Sequence, residues 1–154
     1  VQTCALPICF GGSLKNISIG CASGKLGKQQ IHQLPGDGTW PGGPLFMERM
    51  VDGGKAITNH FGQHITYINV LRNMSVDCDC AGLGAAAPTT PDLGIIASTD
   101  ILAVDQASVD MVYALPEAQR RDLVERIESR SGLRQLEYMK LQGMGNNQYD
   151  LITV

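Results

Sequence analysis

Two thiols and two carboxylates fall within residues 76–82, which read Val-Asp-Cys-Asp-Cys-Ala-Gly. A thiolate is a soft metal ligand and a strong nucleophile, whereas a carboxylate is a hard ligand or a base. In an extended segment Cys78 and Cys80 would share one face and Asp77 and Asp79 the other, whereas in a loop all four could converge on one ion. The spacing predicts a site here, with Cys78, Cys80 and Asp79 as metal ligands.

A second group of candidate residues lies near the start of the chain, where paired glycines are followed by lysines. Glycine amides can approach an anion closely, and lysine ammonium groups add charge for a phosphate or carboxylate. The spacing matches neither the Walker motif nor the dinucleotide-binding fingerprint, and a plain glycine turn with a solvated lysine is the alternative. The candidate ligand-binding residues here are Gly11, Gly12, Lys15, Asn16 and Lys25.

Three further carboxylates lie around the second predicted strand: Asp92, Asp100 and Asp105. Thr99 or Asp100 can cap the helix that follows the strand. Asp105 lies within an apolar helical run, and a buried carboxylate needs a partner because burying an unpaired charge is costly. An exposed helical position remains the alternative for Asp105, and we count all three as candidate ligand-binding residues.

The composition is that of one globular domain. The chain has 154 residues, 44% hydrophobic and 18% charged, with a net charge of −3 that gives no case for nucleic acid or an anionic membrane. No apolar run approaches the length of a membrane span. Five cysteines form an odd, unevenly spaced set, which argues against a disulfide framework and for a reducing, cytoplasmic compartment.

The first residues are treated separately, because residues 1–8 resemble the translation of a common sequencing-adaptor oligonucleotide. We expect residues 1–9 to be an artefact or disordered. Residues 10–154 then form a single α/β domain, the C-terminal part of a larger domain whose upstream sequence is missing. A natural N-terminus is the alternative.

Hydrophobic periodicity predicts an α/β fold with a small mixed or partly parallel sheet flanked by helices. Buried strands are expected near residues 65–71 and 93–97, and a final strand at residues 149–154. Helices are expected from Leu45, after Asp100, over residues 117–128 behind Pro116, and around Leu136. A helix after each strand favours partly parallel pairing, and missing upstream strands would leave an exposed edge.

Several stretches in order resemble the C-terminal half of the uncharacterised iron–sulfur-centre proteins known as the domain of unknown function 362 family. The stretches are residues 11–16, 20–25 with His32, 78–80, 91–95, 98–100, 103–110 and 143–145 with Tyr149. The family's activity is not established. Many members carry a ferredoxin-like insertion with C-x-x-C-x-x-C runs before the helix that begins here near Phe46.

This chain departs from that pattern, because residues 33–44 contain no cysteine. It therefore has no standard ferredoxin-type [4Fe–4S] motif, which needs four thiolates in a set spacing. Cys21 and His32, with Cys78 and Cys80, could make a four-ligand site if the fold brings them together. The order of glycine pair, lysine and histidine is also similar to the cofactor-binding segment of nickel-pincer lactate racemases, with the lysine one residue further along.

Three functions follow as hypotheses. The first is a metal- or iron–sulfur-associated domain of a redox-linked protein, built on Cys78 and Cys80, with an iron–sulfur cluster or a single metal ion as cofactor. The second is a metal-free enzyme that binds a small anionic molecule at Gly11, Gly12 and Lys15. The third is a structural or interaction domain whose redox partner carries the cluster.

Overall fold

The computed structural model describes residues 11–77 and 84–154 of the chain. These residues form the helices and strands α1 (Gly12–Ser18), α2 (Leu26–His32), α3 (Gly43–Phe61), β1 (Tyr67–Leu71), β2 (Gly94–Ser98), α4 (Ile101–Tyr113), α5 (Glu117–Ser129) and α6 (Arg134–Leu141). Helices flank a small sheet, which confirms the predicted α/β class. No helix in these two ranges is both long and apolar enough to cross a membrane.

The two strands pair antiparallel, with Tyr67 opposite Ser98 and Leu71 opposite Gly94. The parallel component that we expected is therefore absent between them. A parallel pair needs a crossover connection, usually a helix. The described part of the β1–β2 connection contains no α-helix and includes Pro88 and Pro91, so the chain returns directly beside β1.

The sheet is covered on one face only among the described residues. Tyr67, Asn69 and Leu71 are buried against α1 and α4, whereas Ile68 is 55% exposed and Ile95 is 68% exposed. The prediction of two fully buried strands is corrected here, because the helices that contact the sheet, α1 and α4, pack on the same side as the buried residues of β1. No described helix packs on the apolar outer face of the sheet.

Helix α3 is the centre of the core and packs against α1, α2 and α6. Met47 and Met50 are fully buried, as their helical spacing predicted. Each such side chain stabilises the fold by about 1.5–3 kcal/mol relative to an exposed one. Gly54 lies inside α3 because a Cβ there would come within 2.6 Å of Leu14 on α1. The glycine that weakens the helical pattern is thus a point of close helix packing.

Two other expectations have opposite outcomes. Helix α5 begins at Glu117 directly after Pro116, so the predicted helix over residues 117–128 is confirmed. The strand predicted over residues 149–154 does not form, and Ile152 is 80% exposed. A strand needs a hydrogen-bonding neighbour, and no described segment lies beside these residues as a strand.

Candidate functional site

Asp105, in the second turn of α4, is fully buried and binds the start of α1. Its Oδ1 accepts a hydrogen bond from the Ser13 backbone N–H at 2.7 Å, and its Oδ2 accepts one from the Leu14 N–H at 3.0 Å. Backbone N–H groups at a helix start favour a negative charge. The anion beside the Gly11–Gly12 turn in this structure is therefore the protein's own Asp105 carboxylate.

Gly12 allows this close approach. Its φ of +50° lies in the left-handed region that favours glycine, and a Cβ would lie 2.4 Å from Asp105 Oδ1. The carboxylate packs directly on the glycine backbone. Gly12 thus serves the contact between α1 and α4.

Asn69 on β1 joins the same buried cluster. Its Nδ2 donates to Asp105 Oδ1 and to Ser108 Oγ, each at 2.8 Å, and its Oδ1 accepts from Ser13 Oγ at 2.8 Å. Ser108 Oγ in turn donates to the Val104 carbonyl at 2.7 Å. We call Ser13, Asn69, Asp105 and Ser108 the buried polar cluster. It connects α1, β1 and α4 through satisfied hydrogen bonds, which makes each member costly to remove.

Burial raises the pKa of Asp105 from 3.8 to about 6, although the hydrogen bonds from Asn69, Leu14 and Ser13 act in the opposite direction. The carboxylate has no exposed surface, so a substrate in solvent cannot reach it. The arrangement makes Asp105 a positioning group that holds α1 in place. Its predicted need for a partner is met by the α1 amides and by Asn69.

Asp100 is the N-cap of α4, as the sequence indicated, and accepts from the Ala103 N–H at 2.9 Å. Its second oxygen accepts from the Asn146 N–H at 2.8 Å. A Cβ on Gly145 would lie 2.0 Å from the Asp100 carboxylate, so the turn after α6 also packs on this group. Both Asp100 oxygens are used in joining the start of α4 to residues 143–146.

Asp92 lies just before β2 and binds the turn after β1. Its Oδ1 accepts from the Asn73 N–H at 2.8 Å, and its Oδ2 is 3.5 Å from Arg72 Nε. Both members of this ion pair are largely exposed, so the pair contributes little to stability. Asp92 is far more accessible than Asp105.

The predicted ligands Cys78, Asp79 and Cys80, which we call the cysteine segment, lie outside the described residues. The residues on either side of them are joined: Asp77 Oδ2 accepts from the Ala86 N–H at 2.7 Å, and Ser75 Oγ donates to the Ala86 carbonyl at 3.0 Å. Asp77 and Ala86, which flank the cysteine segment in the sequence, are therefore neighbours in space.

The flanks of the cysteine segment also contact α5. Arg126 Nη2 lies 3.9 Å from Asp77 Oδ1, and Thr89 Oγ1 donates to Asp122 at 3.3 Å. We call Ser75, Asp77 and Ala86 the base of the cysteine segment. The contacts of Asp77 and Thr89 place this base beside the face of α5 that carries Asp122 and Arg126.

Cys21 and His32 lie in another part of the molecule, where α2 packs against α3. Cys21 is exposed at the wall of a cleft of about 380 Å³ that Ile31 and Asp52 also line. His32 Nδ1 donates to the Lys28 carbonyl at 2.7 Å, which leaves Nε2 as the nitrogen able to accept or ligate.

Helix α2 packs against α3, whereas α5 packs against α4, so the described residues do not bring Cys21 and His32 to the base of the cysteine segment. Within residues 11–77 and 84–154, no group of three or more His, Cys, Asp or Glu side chains is arranged to hold a metal ion. The predicted four-ligand set of two cysteines, Cys21 and His32 gains no support from this arrangement.

The remaining predicted residues lie in two places, on α1 near the glycine pair and beside α2. Asn16 Nδ2 donates to the Gly12 carbonyl at 3.0 Å, and Lys15 is half-buried on α1. Lys25 is exposed beside an open cleft of about 770 Å³ that Lys28 and His32 also line. Neither glycine of the pair lines this cleft.

Asn69, Ser13 and Ser108, the other members of the buried polar cluster, are not among the predicted site residues. Asn69 lies between Ile68 and Val70 in an otherwise apolar strand, and a polar amide there needs buried partners. That signal could have been read from the sequence. Ser13 and Ser108 carry no comparable signal, because serine is common in turns and helices.

The family model described as Domain of unknown function (DUF362) matches residues 7–110, a range that includes both the Gly11–Gly12 turn and the cysteine segment. No curated protein and no solved structure matches the chain.

Proposed function

The chain belongs to the DUF362 family, and we propose that it is a metal- or iron–sulfur-associated domain of a redox-linked protein with Cys78 and Cys80 as the primary ligands. The observation that carries this proposal is the hydrogen-bonded closure between Asp77 and Ala86. It holds together the two ends of a short span that contains two thiols and one carboxylate.

Closure at the base favours ligand binding for an entropic reason. A segment whose ends are already held together loses less conformational freedom when its side chains gather around an ion. Ser75 adds a second contact to Ala86, and its Oγ also accepts from the Asp77 N–H at 3.0 Å. In this proposal Asp77 and Ser75 are positioning residues for the cysteines.

The chemistry of the donor set limits which metal group fits. Two thiolates and the Asp79 carboxylate are three of the four ligands of a tetrahedral single-ion site. A [4Fe–4S] cluster ordinarily needs four thiolates, and Cys21 lies with α2 and α3, away from the base of the segment. The residues present therefore fit a single ion of the zinc or iron type better than a complete cluster. A cluster would need further ligands besides Cys78, Cys80 and Asp79.

The test is metal and acid-labile sulfide analysis of protein purified without oxygen. We expect bound metal in the wild type and in Cys21→Ser, the matched control, and its loss in Cys78→Ser/Cys80→Ser. A protein that takes up no metal on reconstitution would refute the proposal. So would a double variant with wild-type metal content.

The second function is a metal-free enzyme with an anion site at the glycine pair. In the structure another group already occupies the backbone amides that would bind the anion. The Ser13 and Leu14 amides already bind Asp105, so an added anion would have to displace a buried carboxylate or use Lys15 and Lys25 without them. This hypothesis predicts a thiol of low pKa in Cys78 or Cys80 that alkylates below pH 8 without metal. Alkylation only near pH 8–9 would count against it.

The third function, an interaction domain, has a specific observation in its favour. On the outer face of the sheet, Ile68 and Ile95 are exposed at diagonal positions of the two strands, and neither strand contains a charged residue. Apolar surface of this kind marks interaction sites when it is contiguous. This function is compatible with a metal site at the cysteine segment, because the two surfaces use different residues.

A further inference from the structure

We propose that residues 150–154 of one copy of this chain add as a third strand to the free edge of β1 in a second copy. The proposal concerns assembly and stands apart from the metal chemistry above. It joins two features that the described fold leaves without partners.

The first feature is the free edge of β1. The described sheet has two strands, so β1 pairs with β2 on one side and with no strand on the other. A free edge presents N–H and C=O groups that can pair with another chain. On the outer face, Ile68 lies opposite Ala97 and Val70 opposite Ile95, so the surface beside this edge is apolar.

The second feature is the segment Asp-Leu-Ile-Thr-Val at residues 150–154. Leu151, Ile152 and Val154 are all exposed, and residues 150–154 make no hydrogen bond to any other described residue. Ile, Thr and Val favour strands. The chain before the segment is held, because Tyr149 Oη donates to Asp110 at 2.8 Å, so the segment leaves the domain from a defined point.

One register makes the two features complementary. With the segment antiparallel to β1 and Asp150 opposite Arg72, Ile152 falls opposite Val70 and Val154 opposite Ile68. Both pairs lie on the apolar outer face, where cross-strand aliphatic pairs stabilise a sheet.

On the inner face the same register is also consistent. Leu151 falls opposite the buried Leu71, and Thr153 falls opposite Asn69, the polar residue of the strand. On the outer face Asp150 would meet Arg72, which is 70% exposed and already lies 3.5 Å from Asp92. A shift by one residue would place Leu151 and Thr153 on the outer face and lose these matches.

The occupant that these observations favour is a second copy. Within one chain the segment follows Tyr149, which is fixed on α4, and it does not lie beside β1. Reciprocal exchange between two copies would bury both segments and close the assembly with two-fold symmetry.

The experiment is analytical ultracentrifugation of the full chain over a concentration series, with the melting curve of each variant as a check of folding. We expect a dimer whose dissociation constant rises about tenfold or more in Ile152→Asp and in Ile68→Lys. Leu26→Asp, at a 70% exposed position on α2, is the matched control and should dimerise as the wild type does.

A charge reversal tests the register. Asp150→Arg reverses the charge opposite Arg72 and should weaken the dimer about threefold, whereas Asp150→Glu keeps the charge and should leave it unchanged, because an exposed ion pair contributes up to about 1 kcal/mol. A wild-type chain that stays monomeric at about 100 µM, well above the micromolar range of specific complexes, would overturn the proposal. A dimer that both Ile152→Asp and Ile68→Lys leave unchanged would overturn it equally.

Discussion

The Gly11–Gly12 turn and the cysteine segment both carry residues typical of ligand sites, but the fold uses them differently. At the glycine turn, the amides that could bind an anion are occupied by the buried Asp105 carboxylate. At the cysteine segment, the fold uses the flanking Ser75, Asp77 and Ala86 for closure. A motif near a helix start can thus serve packing, whereas at the cysteine segment the contacts that the structure describes are made by flanking residues.

The largest effect that tests this comparison is expected from Asp105→Ala. The substitution leaves the Ser13 and Leu14 amides and the Asn69 amide group without their buried acceptor, so we expect the free energy of unfolding to fall by about 3–5 kcal/mol. Urea unfolding at pH 7 measures it. Asp92→Ala is the control at a largely exposed position and should cost less than about 1 kcal/mol. Equal losses in the two variants would show that the glycine turn does not depend on Asp105.

The pH dependence of stability tests the same carboxylate. Because burial raises the pKa of Asp105 to about 6 from 3.8, the folded protein binds a proton between these values that the unfolded chain has lost. The contribution of Asp105 is therefore fully present below pH 4, falls as the pH rises to about 6, and is constant above that. Linkage gives a total of about 3 kcal/mol.

Urea unfolding at pH 4, 5, 6 and 7 measures this contribution, and Asp105→Asn is the control without a titrating group. We expect the wild type to lose more stability than the variant between pH 4 and pH 6. Parallel curves for the two proteins would contradict the raised pKa.

Gly12→Ala should have the next largest effect. An added Cβ would meet the Asp105 carboxylate and would require a left-handed backbone, so we expect a loss of about 2–3 kcal/mol. Gly24→Ala is the matched control, because a Cβ there has no neighbour within 4 Å and the backbone does not have a positive φ. If both variants unfold at the same urea concentration, the close packing of Gly12 on Asp105 is not needed.

The smallest effect on stability is expected at the base of the cysteine segment. Asp77→Ala removes the acceptor of the Ala86 N–H in a partly exposed place, which should cost about 1 kcal/mol. Its effect on metal binding should be larger, about tenfold in affinity, because positioning groups around metal ligands typically have effects of this size. A competition titration with a chromophoric chelator measures the affinity. If Asp77→Ala binds the metal with unchanged affinity, the hydrogen bond between Asp77 and Ala86 does not support the proposed site.

The sequence predicted features that depend on local pattern. The apolar spacing of α3 and the proline before α5 sufficed for those helices, and an Asp within an apolar helix was enough to predict that Asp105 needs a partner. The identity of that partner was not predictable, because Ser13 is 92 residues away along the chain. Only the packing of α1 against α4 brings them together.

The direction of strand pairing and the structure of residues 149–154 were harder to predict from the sequence, because they also depend on contacts between distant segments. Residues 65–71 and 93–97 have strand-forming composition, but composition does not give the direction in which two strands pair, and these two pair antiparallel. Residues 149–154 have the same composition, but no strand among residues 11–77 and 84–154 lies beside them. The sequence also did not predict that His32 contacts Phe46 of α3, or that Cys21 lines a cleft with residues of α3.

The central claim is that the cysteine segment supplies thiolate ligands to a metal. X-ray absorption at the metal edge of protein loaded without oxygen tests it most directly. The prediction is two sulfur scatterers at about 2.3 Å from the metal, retained in Cys21→Ser and lost in Cys78→Ser/Cys80→Ser. A spectrum with only oxygen and nitrogen ligands in the wild type would contradict it.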